Sequence, residues 1–275
     1  VKEEKELSVL KKYLSLLLVL MLSIGMLAVA GCGGEKEPSG QDAGQEPAIT
    51  KLVVGSETAY APFEMVDEKT GDYIGFDMDI IKAIGEAMGV EVEIRSMEFT
   101  ALIPALQNGQ IDCAISAMSI TPERQQAVDF AGPYYDSGLI IAVAKDTEGI
   151  STLEDLQGKK LGAQIGTTGA DACLSVKEKD PTTEVKTYDH VGEAFMELQK
   201  GGVVAVINDF PVTDYYVKTE ASDTVKTVGE IFLADDHYGI PVQKGDTATL
   251  NLINEGLAKI KENGTYDEIY AKWFE

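Results

Sequence analysis

From residue 51 onward the chain alternates short apolar runs with stretches whose apolar residues return every three or four positions. Residues 51–55 read as a short apolar strand. Asp77 then caps a helix in which Ile80, Ile81, Ile84 and Met88 recur at helical spacing, and Val92 and Ile94 alternate as a strand. A second helix is predicted over about 100–108, stopping at Gly109, with a strand over 111–115 behind it. Strand, helix, strand, helix, strand points to a parallel sheet with helical cover.

The rhythm restarts after the apolar run Leu139-Ile140-Ile141-Ala142-Val143. Ser151 with Glu154 forms a capping box for a short helix ending at Gly158. A strand over 160–163, the turn Gly166-Thr167-Thr168-Gly169, a helix, a strand over 184–188, a helix and a strand over 203–207 follow. An internal echo links the halves: Leu106-Gln107-Asn108-Gly109-Gln110-Ile111-Asp112-Cys113-Ala114-Ile115 aligns without gaps with Leu198-Gln199-Lys200-Gly201-Gly202-Val203-Val204-Ala205-Val206-Ile207. Each is a helix end, a glycine stop and a buried strand. Shared βα grammar is the alternative to a true repeat, and two similar α/β lobes are the better reading. Leu250, Ile253, Leu257 and Ile260 share one helical face before Gly264, and a last short helix is predicted over 266–274. That tail is expected to dock on the first lobe. The first lobe is then discontinuous, 49–138 and 237–275, with 139–236 as the second lobe and hinge crossings at its ends.

Upstream the pattern is different. Lys11 and Lys12 precede an apolar run over 13–30 that closes on Val29-Ala30-Gly31-Cys32. A run of this length is compatible with a membrane span, but small residues ahead of a single cysteine favour a cleaved export signal. The sequence resembles a bacterial lipoprotein signal over 1–31, which implies lipidation at Cys32 and an anchored, extracytoplasmic protein. An uncleaved anchor helix is the alternative, and it leaves the rest of the chain on the same side. Glu3, Glu4 and Glu6 are atypical for the basic head of such a signal, which leaves open a start downstream. Residues 32–48 offer almost no apolar side chain to bury and are expected to form a flexible tether.

Roughly 225 residues remain for the folded body, enough for two lobes. The formal net charge is −23; the first 31 residues hold four lysines against three glutamates, so the remainder carries about −24. Such a surface repels phosphate backbones, and nucleic-acid binding is excluded as a function class. Cys113 and Cys173 are the thiols beyond Cys32; both are expected to stay free, Cys113 as a buried thiol in a strand.

In open α/β sheets, ligands collect beyond the carboxyl ends of strands. There the strand over 111–115 delivers Ser116, Ser119 and Arg124, and the strand over 203–207 delivers Asn208 and Asp209. Thr121 suits an N-cap, Pro122 the first helical position, and Arg124 follows one turn in with a planar fork matched to a carboxylate. A cation with hydroxyls on one wall and an anion on the other fit a zwitterion, the α-carboxylate and α-ammonium of an L-amino acid. The turn holding Thr167 and Thr168 adds backbone N–H groups and hydroxyls for an anion, although it matches neither a Walker A loop nor a dinucleotide fingerprint. Local sequence leaves alternatives open. Arg124 equally suits a surface pair with Glu123 or Asp129, Asp209 a cap for the helix near Pro211, and Tyr60 and Phe99 plain core positions. Glu57 either reaches the far end of a bound side chain or faces solvent.

Further stretches carry a resemblance: Tyr60-Ala61-Pro62-Phe63-Glu64, Gly75-Phe76-Asp77-Met78-Asp79, Leu102-Ile103-Pro104-Ala105-Leu106, Ser119-Ile120-Thr121-Pro122-Glu123-Arg124, Pro133-Tyr134-Tyr135, Gly166-Thr167-Thr168 and Lys272-Trp273-Phe274. With these, the chain resembles the polar amino-acid solute-binding proteins of ABC importers over nearly all of 52–274. The resemblance implies a two-lobed, type II periplasmic binding protein-like α/β fold, each lobe a βα sheet sandwich, joined by a two-stranded hinge. By position it implies that Arg124 clamps the ligand carboxylate with Thr168 and Ser119, that Asp209 binds the ammonium, and that Tyr60 and Phe99 sandwich the side chain. The family often has a small residue and an Asp where this chain has Ala117 and Val204, which puts one contact near Ala117 in question. A basic amino acid or glutamine is the expected ligand, an ABC permease the expected partner, a monomer the expected state, and no metal or organic cofactor is implied.

Two other function classes compete with a binding protein. His190 and His237 are the only histidines, and no Gly-x-Ser-x-Gly, His-Glu-x-x-His or Cys-x-x-Cys occurs. Some proteins similar to this family act as dehydratases on arogenate or prephenate, and turnover of those compounds separates that enzyme class from a binder. A sensor would need a membrane span and an output domain after Phe274, and none is expected.

Overall fold

The computed structural model describes residues 49–275. The predicted signal, the tether and Cys32 lie outside the described residues.

The apolar strand near the start of the described chain is Lys51–Ser56, with Leu52 and Val54 fully buried. It pairs in parallel with Glu91–Ser96 on one side and with Cys113–Ala114 on the other. His237–Gln243 and then Val128–Asp136 complete this five-stranded sheet in antiparallel fashion. The second sheet runs Glu184–Tyr188, Lys160–Gln164, Ala205–Asp209, Leu139–Ala144, Val225–Phe232, its first three strands parallel and its last two antiparallel. One lobe of an α/β fold is built around each sheet. The chain passes between the sheets at Ser137-Gly138 and again at 233–236, where Ser137 N–H donates to Asp236 O at 2.8 Å.

Helix Phe76–Met88 buries Phe76, Met78, Ile80, Ile81 and Ile84 along one stripe and ends at Gly89, whose φ of 68° favours a residue without Cβ. Gly75, not Asp77, occupies its cap position. Asp77 lies within the first turn and is buried, its carboxylate directed at Ala117 N–H and Tyr134 OH rather than at its own helix. Helix Thr247–Glu262, capped by the Asp246 side chain on Thr249 N–H, presses Ile253, Leu257 and Ile260 into the same core. Its Gly256 lies so close to Ile84 that an added Cβ would sit 2.6 Å from Cγ2. Helix Thr265–Phe274 follows, and Phe274 packs on Phe63 and Phe76 while Lys272 Nζ and Trp273 Nε1 both donate to Asp79 at 2.7 Å. The tail therefore packs against helix Phe76–Met88 and the loop holding Phe63.

The two echoed stretches build equivalent units. Each glycine stop has a left-handed φ, 65° at Gly109 and 74° at Gly201, and each following strand pairs in parallel, with Lys51–Ser56 and Lys160–Gln164 respectively. Some boundaries shift. The strand expected over 111–115 is regular only at Cys113–Ala114, and that expected over 203–207 is Ala205–Asp209, because its antiparallel partner Leu139–Ala144 extends the ladder to Asp209. The capping box of Ser151 and Glu154 does not form: Asp155 Oδ2 takes the N–H groups of Ser151 and Thr152, and the segment is a single 3₁₀ turn, Glu154–Leu156. Cys113 and Cys173 are free and buried, and burial pushes the Cys173 thiol up to about 12.

Candidate functional site

The ends of the strands from both sheets converge on one narrow cavity. Glu57, Tyr60, Phe99, Ser116, Ser119, Arg124, Thr167, Thr168 and Asp209 all line it, together with Gln164.

On the first wall, Arg124 opens the short helix Arg124–Ala127, and its N–H is received by Thr121 Oγ at 3.2 Å. The guanidinium does not pair with Glu123 or Asp129; Asp129 instead holds Lys244 Nζ at 2.6 Å. Arg124 Nη1 donates to Ser119 O at 2.8 Å, and Nη2 reaches across to Gly166 O of the second wall at 3.0 Å. Its face lies over Phe99, 5.3 Å from the ring centre. Burial lowers the Arg124 pKa from its ordinary value, while Asp209 and Asp236 oppose that shift. Both of its bonds go to neutral carbonyls, so the charge is not neutralised by a direct ion pair. Ser119 Oγ is committed to Asp236 Oδ2 at 2.7 Å.

Opposite, Thr167 caps helix Thr168–Lys179 by accepting from Ala170 N–H, and its own hydroxyl donates to Gln164 O at 2.8 Å. The Thr167 hydroxyl is thus consumed by the turn, and Thr168 is left at the helix entrance. Gly169 lets that entrance lie against Ile207 O, 2.4 Å from where a Cβ would stand. Asp209 sits at the cap position of helix Phe210–Thr219, yet its side chain makes no capping bond. It accepts instead from Tyr238 OH at 2.6 Å and lies 2.9 Å from Tyr60 OH. Tyr60 OH is also 2.8 Å from Asn208 Oδ1, so a first-lobe phenol links to two residues of the second sheet. Burial raises the Asp209 carboxyl to about 6, with the Tyr238 bond holding it down.

Ala117 is not brought to the cavity. Its φ of 43° is unusual for a residue with a Cβ, and its N–H donates to Asp77 Oδ2 at 2.8 Å. Ser116 Oγ accepts from Glu57 N–H at 3.0 Å and donates to Glu64 Oε1 at 2.8 Å. Glu64 and Asp77 are both fully buried, and Glu64 Oε2 and Asp77 Oδ1 meet no donor group among the described residues. Burial, with the charge of Asp77 next, pushes the Glu64 carboxyl well above its ordinary range and favours its protonated form. This pair braces the Ser116-Ala117 bend from behind.

Four contributors escaped the sequence. Gln164 Nε2 donates to Glu57 Oε2 at 2.8 Å, His190 Nδ1 meets Glu57 Oε1 at 2.7 Å, Asp236 holds Ser119, and Tyr238 holds Asp209. Gln164 was detectable, since it ends a strand of a sheet already predicted. The other three arrive from loops and from an antiparallel strand whose register carries no sequence signal.

The fold and this cavity define a two-lobed receptor for a small polar solute. The model of the bacterial extracellular solute-binding proteins, family 3, matches residues 52–275, and the chain belongs to that family. A probable histidine-binding protein of Neisseria gonorrhoeae is 34% identical over 254 residues, which cover 92% of this chain and 93% of that one. The ABC transporter glutamine-binding protein GlnH of Bacillus subtilis (strain 168) is 33% identical over 273 residues, 96% and 97% of the two chains. An ancestral arginine-binding protein bound to arginine superposes with a TM-score of 0.78 at 45% identity, covering 82% of this chain and 99% of its own. An ancestral arginine-binding protein bound to glutamine superposes with a TM-score of 0.77 at 45% identity, covering 82% of this chain and 98% of its own. These relatives are binding proteins, and the family is extracellular.

Proposed function

We propose that this chain is the substrate-binding lipoprotein of an ABC importer, capturing a polar L-amino acid, basic or glutamine, by closure of its two lobes. The carrying observation is a guanidinium on one wall, bonded only to neutral carbonyls, facing a buried carboxylate on the other within a cavity lined by both lobes. Arg124 takes the ligand carboxylate, with Ser119 and the N-terminus of the helix at Thr168 beside it; Asp209 takes the ammonium. Tyr60 and Phe99 flank the side chain, and Ser116 and Thr167 shape the walls. Glu57 receives the far end of the side chain. Ala117 acts from behind, through the backbone bend it fixes.

A ligand favours the closed form only through groups that both lobes present together, and Arg124 and Asp209 meet that condition. The lobes are assigned to 49–138 with 237–275 and to 139–236. Cys32 anchors the protein by a lipid, the closed monomer docks on the permease, and neither catalysis nor a cofactor is invoked. A calorimetric screen of the twenty L-amino acids tests the reading. Micromolar or tighter binding of a polar member supports it; no binding to any, or turnover of arogenate or prephenate seen by mass detection, refutes it.

A further inference from the structure

Glu57 does not stand alone at the far end of the cavity. It is 2% exposed and comes from the first lobe, while its two oxygens are met by Gln164 Nε2 and His190 Nδ1, both from the second. His190 precedes helix Val191–Gln199, has a side chain 38% exposed, and lies with Nε2 3.8 Å from Glu98 Oε2. An ionised carboxylate offers about four acceptor positions, so two protein donors leave room for a ligand donor. The charge of the Glu57–His190 pair then depends on whether His190 carries a second proton. With His190 neutral, the Glu57–His190 pair carries one negative charge and suits a guanidinium or ammonium. With His190 protonated, the pair is neutral and suits a carboxamide.

We propose that His190 is a specificity-determining residue whose protonation shifts the site between cationic and amide amino acids. The inference rests on the reading of the cavity as an amino-acid site, with Glu57 at the side-chain end.

Several groups set the balance. Glu57, Glu98 and Glu193 surround His190, and the hydrogen bond that its Nδ1–H donates to Glu57 leads in raising its pKa above the ordinary value. Glu57 itself is raised by burial and lowered by its bonds to Gln164 and His190, with Glu98 opposing, and its charge is also felt by Tyr60 and Glu64. A ligand cation arriving at Glu57 competes with the imidazolium, lowers the His190 pKa and expels its proton. Arginine binding is therefore coupled to proton release, and its affinity rises with pH through the range in which His190 titrates. Glutamine brings no charge to that end. Arg124 and Asp209 meet the part common to both ligands and Asp236 stands behind Ser119 there, so their titration cancels in the affinity ratio.

The experiment is calorimetry with L-arginine and L-glutamine between pH 5.5 and 8.5, in buffers of different ionisation enthalpy, on the wild type and on His190→Gln. Glutamine at 190 keeps a donor for Glu57 and removes the titration. The expected result is a preference for arginine over glutamine that grows several-fold per pH unit, approaching tenfold, with proton release on arginine binding. Both effects vanish in His190→Gln. If both ligands bind but the ratio is flat within twofold, if arginine releases no proton, or if the variant keeps the wild-type slope, the inference is overturned while the amino-acid reading stands. If glutamine alone binds at every pH, Glu57 accepts no cation and the inference falls; if arginine alone binds, its own pH slope in wild type and variant decides. If neither ligand nor any other amino acid binds, the functional reading fails first.

Discussion

Replacing Asp209 with Asn separates what this residue does for the ligand from what it costs the fold. Asp209 is 6% exposed, and both phenol hydroxyls, Tyr60 and Tyr238, address the same oxygen, Oδ2. An Asn oxygen has two lone pairs and can stand in that place, leaving the NH₂ where the other carboxylate oxygen was. A carboxyl raised from its ordinary 3.8 to about 6 destabilises the folded state when ionised, on the order of 3 kcal/mol at pH 7. The sign follows from that direction: the penalty is absent below the unfolded pKa, grows as pH rises through the folded pKa, and is constant above it. The ligand-free variant is therefore expected to be more stable than the wild type at pH 8, by up to about 10 °C in Tm for a domain of this size, and indistinguishable from it near pH 3. Ligand binding moves the other way. Loss of one charge-assisted bond to the ammonium costs about 1.5–3 kcal/mol, or roughly 10- to 150-fold in Kd. A deaminated analogue such as 5-guanidinopentanoate, which has no ammonium to lose, should be affected far less than arginine. Differential scanning fluorimetry across pH and calorimetry with both ligands read the two effects. A lower Tm at pH 8, or equal losses for the two ligands, would refute the assignment.

Arg124→Ala should weaken binding more than a hundredfold while shifting the ligand-free Tm by only a few degrees, because the burial cost of the cation offsets its two carbonyl bonds; retained affinity in calorimetry removes the clamp. Glu64→Gln removes one titratable group of the raised carboxyl pair, so the loss of stability that the wild type shows as pH rises above neutrality should flatten in the variant. An unchanged slope in thermal melts from pH 6 to 9 counts against a raised Glu64 carboxyl. Gly169→Ala places a Cβ 2.4 Å from Ile207 O and should cost about 1–3 kcal/mol in urea unfolding, and a neutral result means the helix entrance is less tightly seated than described. Cys113 and Cys173, buried with raised pKa values, should resist a thiol reagent at pH 8 until denaturant is added, and rapid labelling of the native protein contradicts their burial.

Periodicity reached most of this architecture because the parallel strands and amphipathic helices are local patterns. The helix holding Ile80, Ile81, Ile84 and Met88, the strand Glu184–Tyr188, and the tail with Leu250, Ile253, Leu257 and Ile260 appear where their spacing places them. The cavity was legible to the same depth: strand ends predict Ser116, Arg124 and Asp209 because the carboxyl edge of a sheet gathers whatever follows it. Partners that come from distant antiparallel pairing were not legible. Tyr238 reaches Asp209 only because His237–Gln243 lies antiparallel to Val128–Asp136, and a register of that kind leaves no trace in either segment alone. Asp77 misled for the opposite reason. An Asp at the head of a helix normally serves that helix, but here burial and the Ala117 bend outbid the local bond.

The position of His237–Gln243 in the first sheet bears on how the polypeptide is assembled. That strand lies between Cys113–Ala114 and Val128–Asp136, so the earlier part of the sheet waits for a segment made about a hundred residues later. The second sheet draws all its strands from one uninterrupted stretch, Leu139–Ala144 through Val225–Phe232. The second sheet thus has every strand it needs before the first one does, and its closure requires no segment made after Phe232.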